Sequence, residues 1–239
     1  MASSDSSDGD QAPWSSLGRS DGAQPNSWPP TGAPPPSSSL LWEAAKNGDV
    51  DGVMRLARVG GWAAVTEPNA AAAGATAFWI AAKKGNLILM QKLVALGIRD
   101  NNDLGMLTQP NTSGQTPLFI AAKYGKVAVI KWLVEQSALF HGVLREDLEM
   151  IAEPNTAGET PLWIAAKRGH LSAVHWLYAA ELLGNDGSTV LVMGNQPRND
   201  GITPLLAAAG KGHLEVAQWL GAFEKEQQGH VVLGDEQVE

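Results

Sequence analysis

One short motif occurs five times along the 239 residues, and it constrains the fold more than any other feature of the sequence. Its clearest copy reads Thr116-Pro117-Leu118-Phe119-Ile120-Ala121-Ala122, and the others begin at Ser39, Thr76, Thr160 and Thr203. A glycine lies nine residues after each start, at Gly48, Gly85, Gly125, Gly169 and Gly212. These glycines are 37, 40, 44 and 43 residues apart. Because the motif is constant and the spacing is not, the length variation lies in the connections between copies.

The residue types of the motif predict a pair of helices in each copy. A threonine hydroxyl accepts hydrogen bonds from free N–H groups at a helix start, and proline tolerates the first helical position. Paired alanines allow a second helix to approach closely, and the glycine permits the left-handed backbone that ends a short helix. Apolar residues then recur at helical spacing, as at Val127, Ile130, Leu133 and Val134. Neither helix buries its apolar face alone, so adjacent copies are expected to stack.

These residues resemble the ankyrin repeat family. The similarity rests on Gly114-Gln115-Thr116-Pro117-Leu118 with Ala121-Ala122 and Gly125, and on the equivalent run that starts at Gly158. Asn111 and Asn155 precede Gly114 and Gly158 by three residues, where the family's turn has Asp or Asn. The resemblance implies an all-α fold, an ankyrin-repeat solenoid of stacked helix-turn-helix units with β-hairpin-like or irregular finger loops.

The sequence divides into a repeat domain and two tails. Residues 1–38 are rich in Ser, Pro and Gly and are predicted to be disordered. The ankyrin repeat domain is expected at 39–223, and an acidic tail follows at 224–239. The expected repeats lie near 39–70, 71–110, 111–154, 155–197 and 198–223, with lengthened connections at 97–109, 136–153 and 180–196. Within these connections, Ser188–Met193 favours an enlarged hairpin finger, and 138–152 favours a short extra helix.

Charge is concentrated in the two tails. The formal net charge is −8, of which −3 belongs to residues 1–38 and −4 to residues 224–239, leaving −1 for the repeats. The nearly neutral repeats therefore give no general attraction to nucleic acid, which we disfavour as a partner.

Tryptophan is unusually frequent, and most of the nine indoles fall into two columns. Trp42, Trp79 and Trp163, with Phe119, share one position in the first helices, and Trp132, Trp176 and Trp219 share one position in the second helices. An aromatic stripe that binds a partner is one interpretation. Packing between neighbouring repeats is preferred, because an equivalent residue in successive repeats suits a structural ladder. Trp62 is expected in a connecting segment.

No catalytic, cofactor-binding or metal-binding constellation is evident. The chain has no cysteine, which excludes a thiol nucleophile and cysteine-ligated metal sites. His170 and His213 follow the closing glycine, where the family has a structural histidine. His170 and His175 lack the spacing of a zinc-binding helix, and Gly210-Lys211-Gly212 lacks the rest of a phosphate loop. We therefore predict no enzyme activity, no cofactor and no small-molecule substrate.

One charged feature repeats with the motif. Basic residues follow the alanine pairs, and the resemblance places them with the turn tips on the concave binding face. We call the helix positions the basic row: Lys83, Lys84, Lys123, Tyr124, Lys167, Arg168 and Lys211. The matching turn positions are Thr112, Ser113, Gln115, Ala157 and Glu159. Trp14 and Trp28 are further candidate anchors in the N-terminal segment, and a solvated face is the alternative interpretation of the row.

The leading hypothesis is a protein–protein interaction module that acts as a scaffold, an adaptor or an accessory subunit of a multiprotein complex. Its expected partner is a protein with an acidic or phosphorylated segment. An enzyme site built on the inserts and weak binding of nucleic acid or a phosphorylated ligand along the basic row are the alternatives. No apolar run is long enough to span a bilayer. An intracellular location is expected, in the cytoplasm, with the nucleus or another compartment as the alternative.

Overall fold

The computed structural model describes residues 38–100, 105–140, 153–182 and 196–222, all of which belong to one compact unit. The N-terminal segment 1–37 and the tail 223–239 lie outside the described residues, as does the expected finger at Ser188–Met193. Residues 141–152 of the expected extra helix also lie outside, and residues 138–140 end a longer helix.

Ten α-helices are present over the described residues, arranged as five pairs. The first pair is α1 (Ser38–Asn47) and α2 (Val50–Thr66), and the second is α3 (Ala77–Lys84) and α4 (Leu87–Arg99). The third and fourth pairs are α5 (Pro117–Lys123) with α6 (Val127–Phe140), and α7 (Pro161–Lys167) with α8 (Leu171–Leu182). The last pair is α9 (Pro204–Gly210) and α10 (residues 214–222).

Threonine begins four of the first helices, as the motif predicts. The hydroxyls of Thr76, Thr116 and Thr160 each accept a hydrogen bond from the backbone N–H three residues later, at 3.1 Å, and Thr203 does so at 3.3 Å. This satisfies one of the free N–H groups at each helix start. The threonine caps are therefore confirmed.

A left-handed glycine closes each first helix and brings the next repeat close. The φ angles of Gly125 and Gly169 are +63° and +75°, where side chains are disfavoured. His170 packs against Gly125, and its Nε2 donates to the Lys123 carbonyl at 3.1 Å. His213 makes the same bond to the Lys167 carbonyl in the next repeat. The expected structural role of both histidines is confirmed.

The helix pairs stack through their alanine-rich first helices. α1 contacts α3, α3 contacts α5, α5 contacts α7, and α7 contacts α9. Ala81, Ala82, Ala121 and Ala122 are fully buried, because small side chains let the neighbouring backbones approach. The second helices form an outer layer in which α2 contacts α4 and α6 contacts α8. The all-α solenoid is confirmed, and within the described ranges the only β-type pairing is an isolated bridge between Asn69 and Ala75.

One connection differs from the expectation, and the structure describes part of a second. Trp62 lies within α2 rather than in a connecting segment, after a kink at Gly61, whose φ is +70°. Residues Gly105–Leu107 of the 97–109 insert form a short 3₁₀ turn, and Met106 and Leu107 are 1% and 2% exposed. Burial of these two side chains holds this part of the insert against the core.

Candidate functional site

The first-helix aromatic column lies inside the stack. Trp79, Phe119 and Trp163 are buried, and the Nε1 groups of Trp79 and Trp163 donate to the carbonyls of Gln115 and Ile202, both at 2.8 Å. Each bond joins one repeat to the turn of the next. The packing interpretation is confirmed for these residues, while Leu206 at the last position of the column is 56% exposed.

The second-helix column also packs between repeats. The Trp132 ring lies 6.4 Å from the Phe78 ring of the preceding repeat, and the Trp219 ring lies 5.2 Å from Tyr178. Trp176 lies under Lys131, whose Nζ is 5.1 Å from the ring centroid. The three indoles are half-buried and join each second helix to the repeat before it.

The turn tips are joined to one another through backbone and threonine groups. The Asn155 Oδ1 accepts hydrogen bonds from Ala157 and Glu159 N–H at 2.9 Å, and Asn111 holds the preceding turn in the same way. The Thr112 hydroxyl donates to the Ala73 carbonyl at 3.0 Å, and Thr156 bonds to the Ser113 carbonyl at 3.1 Å. Hydrogen bonds therefore join the turn tips of the second, third and fourth repeats.

Two lysines of the basic row lie against the buried indoles. The Lys83 Nζ is 5.7 Å from the Trp79 ring and 5.4 Å from the Tyr124 ring. The Lys167 Nζ is 4.7 Å from the Trp163 ring. Such cation–π contacts fix the positions of these ammonium groups at the edge of the stack.

Glu159 is the centre of an ion cluster between the fourth and fifth repeats. Its carboxylate accepts from Asn155 Nδ2 at 3.0 Å and lies 3.3 Å from Lys167 Nζ and 3.8 Å from Arg198. The Glu159 side chain is only 14% exposed. This carboxylate therefore pairs with two cations and holds Lys167 in position.

Arg198 is a site residue that the sequence interpretation missed. Its guanidinium lies 5.2 Å from the Trp163 ring and pairs with Asp200 as well as with Glu159. The hydrogen bond from Arg198 raises the stability of the Asp200 carboxylate and lowers its pKa to about 2. Arg198 takes the turn position of Asn111 and Asn155, as its N–H bonds to the Ile202 carbonyl show. The presence of arginine where the other turns have asparagine was the sequence feature that could have identified Arg198.

Three further cations of the row are exposed. Lys84, Arg168 and Lys211 each come immediately before a closing glycine, the position that Tyr124 occupies in the third repeat with 43% exposure. Over the residues that the structure covers, these three cations have no carboxylate within 4.0 Å. Lys167, Arg168, Lys211 and His213 line a surface cleft of about 470 Å³. The cleft therefore brings together cations from two adjacent repeats.

The other residues predicted to bind a partner do not line this cleft. Ser113 and Ala157 are exposed at the turn tips, whereas Gln115 and Lys123 are half-buried. Trp14 and Trp28 lie outside the described residues. In the described ranges, no group of three His, Cys, Asp or Glu side chains is placed to hold a metal ion. Among the described helices, none combines the length and the apolar composition that a bilayer span requires.

Comparison with known proteins agrees with the geometry. A family model described as "Ankyrin repeats (3 copies)" matches residues 41–143 and 140–230, which is most of the chain. Protein fem-1 homolog A from Bos taurus is 46% identical over 61 residues, and its Homo sapiens counterpart is 44% identical over the same length. Each match covers 26% of this chain and 9% of the relative, so the chain matches less than a tenth of either relative.

Proposed function

Because the chain belongs to the ankyrin repeat family, we propose that it is a non-catalytic module whose basic row binds an acidic or phosphorylated segment of a partner protein. Ankyrin repeats are protein–protein interaction modules, and the family is typically non-catalytic. In this proposal the chain is a scaffold, an adaptor or an accessory subunit of a larger assembly. The lengthened connections and the N-terminal segment supply further contacts.

The observation that carries the proposal is the repetition, at one position of the repeat, of exposed cations that have no carboxylate partner among the described residues. Lys84, Arg168 and Lys211 occupy that position in the second, fourth and fifth repeats. Since the repeats carry nearly no net charge, a row of one sign is a local feature rather than a general property of the surface. Such a row attracts a carboxylate- or phosphate-bearing segment and speeds its docking.

The cleft at Lys167, Arg168 and Lys211 favours a phosphorylated residue as one point of contact. Glu159 and the Trp163 ring hold the Lys167 ammonium in place, which reduces the loss of side-chain entropy when an anion binds. Arg168 adds the planar N–H donors that suit phosphate oxygens. A phosphate here would meet three cations contributed by neighbouring repeats.

The test reverses only the cations that the stack does not use. We expect the triple variant Lys84→Glu, Arg168→Glu, Lys211→Glu to keep the wild-type helical circular dichroism spectrum. The immobilised full chain and this variant are each incubated with native extract, and the retained proteins are identified by mass spectrometry. Proteins that bind through the row are retained by the wild type and depleted about tenfold by the variant.

A control reverses an exposed cation outside the row, Lys131 on α6. Proteins held by the basic row remain bound to the control, so loss of total positive charge is separated from loss of the row. Equal retention by the wild type and the folded row variant would overturn the proposal. Treatment of the extract with phosphatase distinguishes phosphate from carboxylate as the group that is recognised.

A further inference from the structure

A second basic surface lies on the outer layer, between α2 and α4. It is a groove of about 530 Å³, which we call the α2–α4 groove. Arg55, Arg58, Lys92 and Arg99 supply its cations. Met54 and Leu96 supply apolar surface between them. The groove therefore combines positive charge with apolar contact area, and it uses none of the residues of the basic row.

The repeat register explains why the groove is open. Seven residues after the closing glycine, the last three repeats carry Trp132, Trp176 and Trp219, whereas the second repeat carries Lys92. Each of the three indoles packs against the preceding repeat. The Lys92 Nζ instead lies 3.7 Å from Asp51 Oδ1 on α2, with half of its side chain exposed. The α2–α4 groove therefore lies where the later repeats place an aromatic side chain.

The neighbouring position identifies the contact that an aromatic ring would make. Six residues after the closing glycine, Lys131 lies over Trp176, and the His175 ring lies 4.5 Å from the Trp219 ring. The first repeat has Met54 at this position, and Met54 lines the groove. A thioether makes favourable contacts with aromatic rings. An aromatic side chain from a partner would thus contact Met54 as Trp176 contacts Lys131 and Trp219 contacts His175 in the later repeats.

The charge of the groove indicates that the rest of its ligand is acidic. The four cations face two carboxylates, Asp51 and Asp100, so the groove keeps a net positive charge within a chain of net charge −8. Arg55 and Arg58 are exposed, and no carboxylate of the described residues lies within 4.0 Å of either. The same outer face of α8 carries no Lys or Arg. The cations are therefore not a property that every repeat shares.

We propose that the α2–α4 groove binds an acidic segment of a partner protein, with one aromatic side chain of that segment inserted where the indole is missing. The aromatic ring contacts Met54 and Leu96, and flanking carboxylates pair with Arg55, Arg58 and Arg99. This surface goes beyond the function proposed for the basic row. Two separate anion-binding surfaces would allow one chain to hold two acidic segments at once.

The test uses the full chain and a fluorescent peptide of alternating Asp and Glu with one central Phe. A second peptide has Ala in place of Phe. Fluorescence anisotropy is expected to show binding of the Phe peptide about tenfold tighter than that of the Ala peptide. The variant Lys92→Trp restores the residue type of the later repeats, fills the groove and is expected to remove this preference. The variant Arg55→Glu, Arg58→Glu is expected to weaken both peptides by about tenfold or more.

The control is the basic-row variant Lys84→Glu, Arg168→Glu, Lys211→Glu, which should retain the preference for Phe. The two proposals therefore fail separately. Equal binding of the Phe and Ala peptides to the wild type, or an unchanged preference in folded Lys92→Trp, would overturn the inference. Vesicles of phosphatidylserine and phosphatidylcholine provide a further arm, and binding to these vesicles without binding to the Phe peptide would also overturn it.

Discussion

At the residue scale, two indole N–H groups join neighbouring repeats through backbone carbonyls. Replacing Trp163 with Phe removes the bond to Ile202 but keeps most of the buried ring. We expect a loss of about 1 kcal/mol in the free energy of unfolding, against about 3–5 kcal/mol for Trp163→Ala. Phe119 shows that this column accepts a ring without a donor. Urea denaturation measures both variants, and equal losses would contradict a separate role for the hydrogen bond.

The ion cluster around Glu159 is partly buried, so its contribution to stability lies between those of an exposed and a buried ion pair. Exposed ion pairs contribute up to about 1 kcal/mol, whereas breaking a buried pair costs about 3–5 kcal/mol. We expect Glu159→Gln to lower the free energy of unfolding by about 1–2 kcal/mol, because Lys167 and Arg198 lose their shared carboxylate. Glu43→Gln, at an exposed pair with Lys46, serves as the control in the same urea titration. A loss no larger than that of the control would show that the cluster is fully screened.

Asp200 leads to a prediction about the stability of the protein at acidic pH. Its hydrogen bond from Arg198 lowers its pKa to about 2, below the value of about 3.9 of an unperturbed Asp. A depressed folded-state pKa means that its stabilisation is complete above pH ~4 and is lost as the pH falls through about 2. Between these values, the free energy of unfolding of Asp200→Asn is expected to fall less steeply than that of the wild type. Parallel curves would contradict this, since the other carboxylates are common to both proteins.

At the element scale, the closing glycines provide a matched pair of positions. Gly169 and Gly212 have nearly the same φ, +75° and +77°. A Cβ at Gly169 would lie 2.5 Å from His213 Nδ1, whereas a Cβ at Gly212 meets nothing within 4 Å. We expect Gly212→Ala to cost about 1 kcal/mol from the backbone alone, and Gly169→Ala about 1–3 kcal/mol more from the clash with His213. Thermal or urea unfolding tests this, and equal costs would show that His213 moves aside freely.

The elements that the sequence predicts well are those fixed by local chemistry. Thr116 and Pro117 determine where a helix begins, and Gly125 determines where it ends, whatever the rest of the chain does. The kink at Gly61 and the burial of Met106 and Leu107 depend on contacts with other elements. At Gly61 the backbone is non-helical, with φ +70° and ψ −175°, and a second helical segment that contains Trp62 then continues to Thr66. Tertiary packing decides such cases.

Only part of the candidate site could be predicted from the sequence. The repeat register placed Lys84, Arg168 and Lys211 at one position without knowledge of their surroundings. It did not separate them from Lys83 and Lys167, because the stacking of an ammonium group on a buried indole depends on distance across the fold. Glu159 likewise matched an exposed turn position, yet its carboxylate holds Lys167 and Arg198. Among the described residues, side-chain pairing between repeats, rather than position within a repeat, distinguishes the cations that have a partner in the fold from the exposed ones.

At the scale of the whole molecule, each repeat of a solenoid contacts its neighbours, so stability is nearly a sum of local terms. The first helices follow this pattern here, with contacts from α1 through α3, α5 and α7 to α9. A change at one end should therefore alter that end more than the rest. This matters for the two proposed surfaces, since the α2–α4 groove lies in the first two repeats and the cleft at Arg168 and Lys211 lies in the last two.

Leu220 of α10 allows this to be measured, because it is 1% exposed and lies in the last pair of helices. Leu220→Ala should cost about 2–5 kcal/mol locally. Hydrogen exchange is expected to accelerate strongly in residues 204–222 and to remain slow in α3 and α5, because the opening of the last repeat leaves the inner contacts intact. Peptide binding at the α2–α4 groove should also persist, while binding at the cleft weakens. A uniform acceleration of exchange through all described helices would instead show that the stack unfolds as one cooperative unit.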